Sequence, residues 1–159
     1  MEKYRKGIFC VIYLINNSGN VKYLIFKRKL HWKGWEFPKG GVRKEEKILD
    51  AVKREIKEET GLKPVKIKRF DVSGRYKYEK ELKEREGVTG QTYFLYAVEV
   101  NKRKIKLDKL EHSAYEWVSF KRAMRKLTWP NQRKCLKIID GWLEKKNLSK
   151  SKFETVLYN

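Results

Sequence analysis

A single α/β domain, with strands and helices mixed along one chain, is predicted by three observations. Two early apolar runs, Ile8 to Ile15 and Val21 to Phe26, flank the polar stretch Asn16 to Asn20 and read as a β-hairpin, because Asn and Gly tolerate the left-handed backbone of a tight turn. Glu45 to Thr60 has helical spacing and stops at Gly61, with Pro64 just beyond, both residues that end helices. Pro130 opens another helical pattern in which Cys135, Leu136, Ile138, Ile139, Trp142 and Leu143 share one face. A length of 159 residues suits one domain, so 1–146 is expected to hold it and 147–159 to form a C-terminal tail of undecided order.

The remaining elements fall between these landmarks. Trp32 to Gly41 is too broken by glycine and proline for a long element and reads as a shaped loop with one short strand. Lys66 to Val72 and Thr92 to Val100 read as strands, and Tyr115 to Val118 as a short one. Between the first two lies the charged stretch Arg75 to Gly90, without a core stripe, either a mobile lid or a long hairpin excursion. Ser119 is placed to cap a short helix running through Leu127.

Composition narrows the function. Forty Lys and Arg against twenty Asp and Glu leave a formal charge of +20, a surface that concentrates polyanions. A hydrophobic content of 40%, with 13% aromatic residues, excludes a disordered basic tail, which lacks core-forming residues. Cys10 and Cys135 show no metal or redox spacing and read as buried thiols. The apolar run after Lys3, Arg5 and Lys6 is too short to span a bilayer and has no small-residue cleavage site after it, so a cytoplasmic protein without membrane attachment is expected. His31 and His112 have no mutual metal spacing and read as loop residues; no phosphate-binding P-loop or dinucleotide fingerprint is present.

Chemistry enters through the first helix. Ile48, Val52, Glu55 and Glu59 follow one stripe, apolar at its start and carboxylate at its end, with Glu58 beside Glu55. If Ile48, Leu49, Val52 and Ile56 dock this helix on a sheet, Glu55 and Glu59 are steered toward the protein. There they crowd at the negative end of the helix dipole, a costly arrangement unless a cation joins them. From Gly40 to Leu62 the charges balance, so the whole basic excess lies elsewhere. Carboxylate-only ligands suit a hard divalent ion, Mg²⁺ or Mn²⁺. The competing reading is a solvated face of Glu and Lys pairs, but Lys53 and Lys57 lie off the face of Glu55.

The segment GGVRKEEKILDAVKREIKEETGL, from Gly40 to Leu62, resembles the Nudix box. Gly40, Glu46, Arg54, Glu55, Ile56, Glu58, Glu59, Gly61 and Leu62 fill every specified position of that pattern. The resemblance implies a mixed β-sheet between helices, an α+β sandwich, with the box as loop, helix and loop. It also implies hydrolysis of a nucleoside diphosphate linked to a further group. Carried over by position, Glu55, Glu58 and Glu59 would be metal ligands, joined by the Gly40 carbonyl, with Arg54 orienting Glu55 and Glu46 supporting the box. Glu111, six residues before Trp117, matches an auxiliary ligand or base of related enzymes, and is equally readable as a solvated loop carboxylate. Among the glutamates, Glu55 or Glu58 is the preferred base, with Glu111 third. Lys47 stands where a capping Ser or Thr is common, which leaves the helix start open.

The flanks Glu36 to Gly41 and Thr128 to Arg133 resemble the branch of asymmetrical diadenosine tetraphosphate hydrolases and RNA 5′-pyrophosphohydrolases. A dinucleoside polyphosphate is therefore the first expected substrate, giving ATP and AMP from diadenosine tetraphosphate. A triphosphorylated RNA 5′ end is second, favoured by the basic charge. A non-catalytic nucleic-acid binder on the same fold is the reading from another class. Lys39 and Arg28 are candidate phosphate holders, and Tyr76 and Tyr93 candidate stacking platforms, although strand aromatics also build cores.

Overall fold

The computed structural model describes residues 2–78 and 85–158, with side chains to residue 147. Chain order is β1 (Tyr4–Arg5), β2 (Gly7–Ile15), β3 (Val21–Arg28), β4 (Gly34–Glu36), β5 (Lys39–Gly41), α1 (Ile48–Thr60), β6 (Lys66–Lys77), β7 (Gly90–Glu99), β8 (His112–Val118), α2 (Phe120–Lys126) and α3 (Pro130–Tyr158). One mixed sheet runs β1-β7-β2-β3-β4, with β5 on β2, β6 on β7 and β8 on β3. The central pair β2 and β7 is parallel, which explains why β2 reads as a continuous apolar run: both of its faces are covered.

Alternation along β2 divides the interior in two. Phe9, Val11 and Tyr13 meet Ala123, Leu127, Leu136, Ile139 and Leu143 of the α2 and α3 region. Ile8, Cys10, Ile12 and Leu14 face Ala51, Val52 and Ile56 of α1. This is the mixed sheet between helices that the sequence reading expected. Tyr23 donates its hydroxyl to Asp140 Oδ1 at 2.6 Å, and the buried Gln132 side chain accepts from Phe37 N at 2.9 Å, tying α3 to the sheet.

The hairpin β2–β3 turns on Asn16, whose Oδ1 accepts from Ser18 N and Asn20 N, with Gly19 at φ 82°. Ser119 Oγ accepts from Arg122 N and caps α2. Several expectations need correction. α1 begins at Ile48 rather than Glu45, because Glu45 has a left-handed φ of 66° and Lys47 is extended and gives no side-chain cap. Leu49 is 53% exposed, and Ala51 takes the docking position assigned to it. β6 does not stop at Val72 but continues to Lys77, pairing with β7 through a register shift between Arg69 and Ser73. Of the stretch 75–90, residues 75–77 and Gly90 therefore belong to paired strands; residues 79–84 lie outside the described residues. Both cysteines are buried free thiols. Among the described residues no helix is long and apolar enough to cross a membrane.

Candidate active site

Two glycines and an arginine organise the acidic end of α1. Gly40 and Gly41 lie on β5, opposite Ile8 and Gly7 of β2. Gly40 has no side chain because the carboxyl group of Glu55 occupies the space a Cβ would need. Arg54 then clamps the box: Nε and Nη2 reach Glu46 at 2.8 and 3.0 Å, Nη2 also reaches the Gly41 carbonyl at 2.7 Å, and Nη1 reaches Glu55 at 2.9 Å and Glu58 at 3.4 Å. Hydrogen bonds from Arg54 and the Arg43 backbone hold the Glu46 carboxyl down to about 2, so it stays charged across the working range.

The acidic stripe turns inward at its end. Glu55 is 9% and Glu59 4% exposed. Glu58 sits at the rim, its side chain 46% exposed and also paired with Arg43 at 3.4 Å. Burial raises Glu55 to about 6 against the opposing pull of Arg54, with the charges of Glu58 and Glu111 adding to the rise. Burial and then the charge of Glu111 push Glu59 up as well, partly offset by His112.

Glu111, just before β8, brings a carboxylate from the sheet to face this end of α1, and Arg28 of β3 lies 3.7 Å from it. Arg28 also meets Glu36 at 3.3 Å and donates Nε to the Leu30 carbonyl. The phosphate-holding role expected of Arg28 therefore competes with two carboxylate partners. His112, read as a loop residue, is instead buried at the start of β8 between Glu36 and Glu59. Burial pulls its pKa down, but those two carboxylates outweigh it and raise it. Glu36 stays below its usual range: burial pushes it up, and His112, Lys39 and Arg28 outweigh that.

A cavity of about 540 Å³ reaches these groups at Arg28 and Glu111 and is lined besides by Lys39, Gly40, Tyr76 and Gln91; the α1 glutamates are not among its lining residues. Lys39 Nζ stands 4.7 Å from the Tyr76 ring and 5.9 Å from that of Trp32, a cation between aromatic faces. Trp32 and Trp129, which also line the cavity, meet edge to face at 5.2 Å. Arg75, Lys77 and Arg85 add positive charge to the lining.

Tyr93 is a correction. It is 8% exposed and packs on Phe9 at 5.7 Å in the core on the α3 side, away from the cavity lining. Sequence reasoning also missed Gln91, buried on β7, which donates to the Gly40 carbonyl at 3.0 Å. That carbonyl, expected to face a metal, thus spends one acceptor direction on Gln91. Glu36, His112 and the Trp32–Trp129 pair were missed too; the only local sign of His112 was its place beside Glu111.

Glu59 and Glu111 bring carboxylate oxygens within 4.8 Å of each other, donors of the kind a hard divalent cation takes, while Arg54 engages Glu55 and Glu58. Buried Glu59 Oε2 makes no hydrogen bond among the described residues. With cations and aromatics on the other walls, the arrangement can hold a phosphate chain against a metal site and a base against a stacking wall.

Residues 4–137 match the NUDIX domain family. An RNA pyrophosphohydrolase of Thioalkalivibrio sulfidiphilus is 28% identical over 139 residues, covering 80% of this chain and 78% of that protein. One from Nitratiruptor sp. is 30% identical over 125 residues, covering 76% and 81%. Among solved structures, an Ap4A hydrolase binary complex from C. elegans superposes with a TM-score of 0.64 at 21% identity, covering 87% of this chain and 98% of that one. The E. coli dihydroneopterin triphosphate pyrophosphohydrolase gives a TM-score of 0.67 at 22% identity, covering 86% and 96%.

Proposed function

The chain belongs to the Nudix hydrolase family, enzymes that act on pyrophosphate bonds, and from that premise we propose that it removes pyrophosphate from the triphosphorylated 5′ end of RNA. One observation carries the reading: Glu111, whose carboxylate lies within 4.8 Å of buried Glu59 at the end of α1, lines a cavity whose other walls are cations and aromatic rings. Water adds to a phosphorus of the chain, the phosphoanhydride bond breaks, and pyrophosphate leaves a 5′-monophosphate. Relatives named RNA pyrophosphohydrolase along most of their length, and the charge of +20, support RNA over the dinucleoside polyphosphate that the flanks first suggested.

Glu55, Glu58 and Glu59, with Glu111 and the Gly40 carbonyl as auxiliaries, would hold Mg²⁺ or Mn²⁺. When bound, such an ion neutralises phosphate charge and acidifies a water. Arg54, fixed by Glu46, holds Glu55 in place. Glu55, kept in place by Arg54, is the first candidate for the base that takes the water's proton. Lys39 is held below its usual range chiefly by burial, and offers a point charge to an outer phosphate from between Tyr76 and Trp32. Tyr76 and Trp129 offer faces for the first base.

A dinucleoside polyphosphate remains the second reading, because the cavity holds two aromatic groupings, Trp32 with Trp129 and Tyr76 with Tyr78, enough for two bases. Incubation with Mg²⁺ and triphosphorylated RNA, diadenosine tetraphosphate or ADP-ribose tests the assignment. Pyrophosphate release from RNA at the highest kcat/KM is expected, with Glu58→Gln losing turnover but keeping RNA binding. Preference for the tetraphosphate or for ADP-ribose would overturn the RNA assignment. Unchanged turnover in Glu58→Gln would overturn the role of the cluster.

A further inference from the structure

Beside the box carboxylates the sheet carries a group that the chemistry above does not use. The His112 side chain is 1% exposed and packed on three sides. Its Nε2 lies 3.4 Å from Glu36 Oε2, the Phe26 ring packs on it at 4.9 Å, and its Nδ1 lies 3.1 Å from Glu59 Oε2. Neither Nδ1 nor Glu59 Oε2 has a hydrogen-bond partner among the described residues, although both are buried. The two stand within ion-pair distance of each other yet are misaligned for a hydrogen bond, which leaves part of the cost of their burial unmet. Two donors meeting this closely without a hydrogen bond also have the spacing of neighbouring ligands: at bond lengths of about 2.1 Å, adjacent ligands of an octahedral ion stand about 3 Å apart. Glu111 supplies a third donor, all three lying within 4.8 Å of one another.

We propose that Glu59, Glu111 and His112 Nδ1 form a mixed oxygen and nitrogen site for a transition-metal dication such as Mn²⁺ or Co²⁺, taken in preference to Mg²⁺. The imidazole distinguishes this site from a carboxylate-only one, since nitrogen ligands suit first-row transition metals and Mg²⁺ prefers oxygen. Glu36 completes the arrangement. A metal-bound histidine usually directs its other ring nitrogen to a carboxylate, which fixes the tautomer and the ring plane. Glu36 Oε2 occupies that place and is itself held by Arg28 at 3.3 Å. Phe26 stops the ring from turning away.

The inference rests on the reading that the box end of α1 holds a divalent ion, and adds a nitrogen ligand to it. The full chain is loaded with Mn²⁺ and examined by pulsed electron paramagnetic resonance for coupling to ¹⁴N. His31 lines the cavity that Glu111 also lines, so His31→Gln serves as the control. Nitrogen coupling is expected in the parent and in His31→Gln, and its loss in His112→Phe, which keeps a flat ring against Phe26. By calorimetry, His112→Phe should bind Mn²⁺ roughly 10- to 100-fold more weakly, with a much smaller change for Mg²⁺. If circular dichroism shows that variant unfolded, Glu36→Gln replaces it and should weaken Mn²⁺ more than Mg²⁺. Bound Mn²⁺ without nitrogen coupling, or parallel losses for both ions, overturns the nitrogen site and leaves the hydrolase reading standing. Absence of any divalent binding overturns both.

Discussion

Gly40 shows how much a single residue contributes by having no side chain. The Glu55 carboxyl lies where its Cβ would be, so Gly40→Ala must displace either β5 or the carboxylate that Arg54 holds. Displacement by about 1 Å near a reacting centre costs on the order of 100-fold in rate. Steady-state kinetics on triphosphorylated RNA should show that loss in kcat/KM, with the circular dichroism spectrum of the parent retained. A near-parental rate would mean that Glu55 does not need its present position. Arg54 and Glu46 were assigned to support from the box pattern, and their contacts fit such a role. Gln91 was not legible, because nothing near it in sequence refers to Gly40; β5 and β7 are brought together by pairing with the same strand, β2.

At the scale of elements, α1 ends as its sequence requires. Gly61 adopts φ 74° and donates its N–H to the Lys57 carbonyl, so the last turn stops with Glu58 at the rim and Glu59 inside. An L side chain in that conformation costs roughly 1 to 2 kcal/mol, and the nearest atom to an added Cβ is Lys106 Cβ at 3.2 Å. Gly61→Ala is therefore expected to lower the free energy of unfolding by roughly 1 to 2 kcal/mol, measured by urea titration; an unchanged midpoint would show that the turn relaxes freely. The start of α1 was harder to read, since Lys47 offers no cap and the loop before it is fixed by Arg54. Strand β6 illustrates a different limit. Its register shift between Arg69 and Ser73 changes which residues oppose β7, placing Gly74 against Tyr93 and Tyr76 against Gln91. Tyr93 falls in the core and Tyr76 in the cavity lining. Because paired residues share a face and Gln91 and Tyr93 stand two apart on β7, the two tyrosines lie on one face and differ in how far along it they stand, which the chain alone does not show.

For the molecule as a whole, the charge of +20 surrounds a segment whose own charges cancel, so the acidic site sits inside a basic surface. A long RNA should feel that surface beyond the cavity, and a short nucleotide should not. If about three backbone phosphates are neutralised, KM for triphosphorylated RNA should rise roughly tenfold or more between about 50 and about 200 mM salt. KM for a nucleoside triphosphate, measured alongside, should change far less; equal slopes would remove the surface from substrate binding. What could be read directly from the chain was local and periodic: the turn at Asn16, the stripe that becomes acidic at Glu55 and Glu59, the stop at Gly61 and the unbalanced lysines and arginines. Backbone preference, helical period and charge act over a few residues and are written into their order. The meeting of Glu36, Glu59 and His112, the hold of Gln91 on Gly40 and the division of labour between Tyr76 and Tyr93 came from sheet register and packing, because burial and cross-strand position depend on partners far away in the chain.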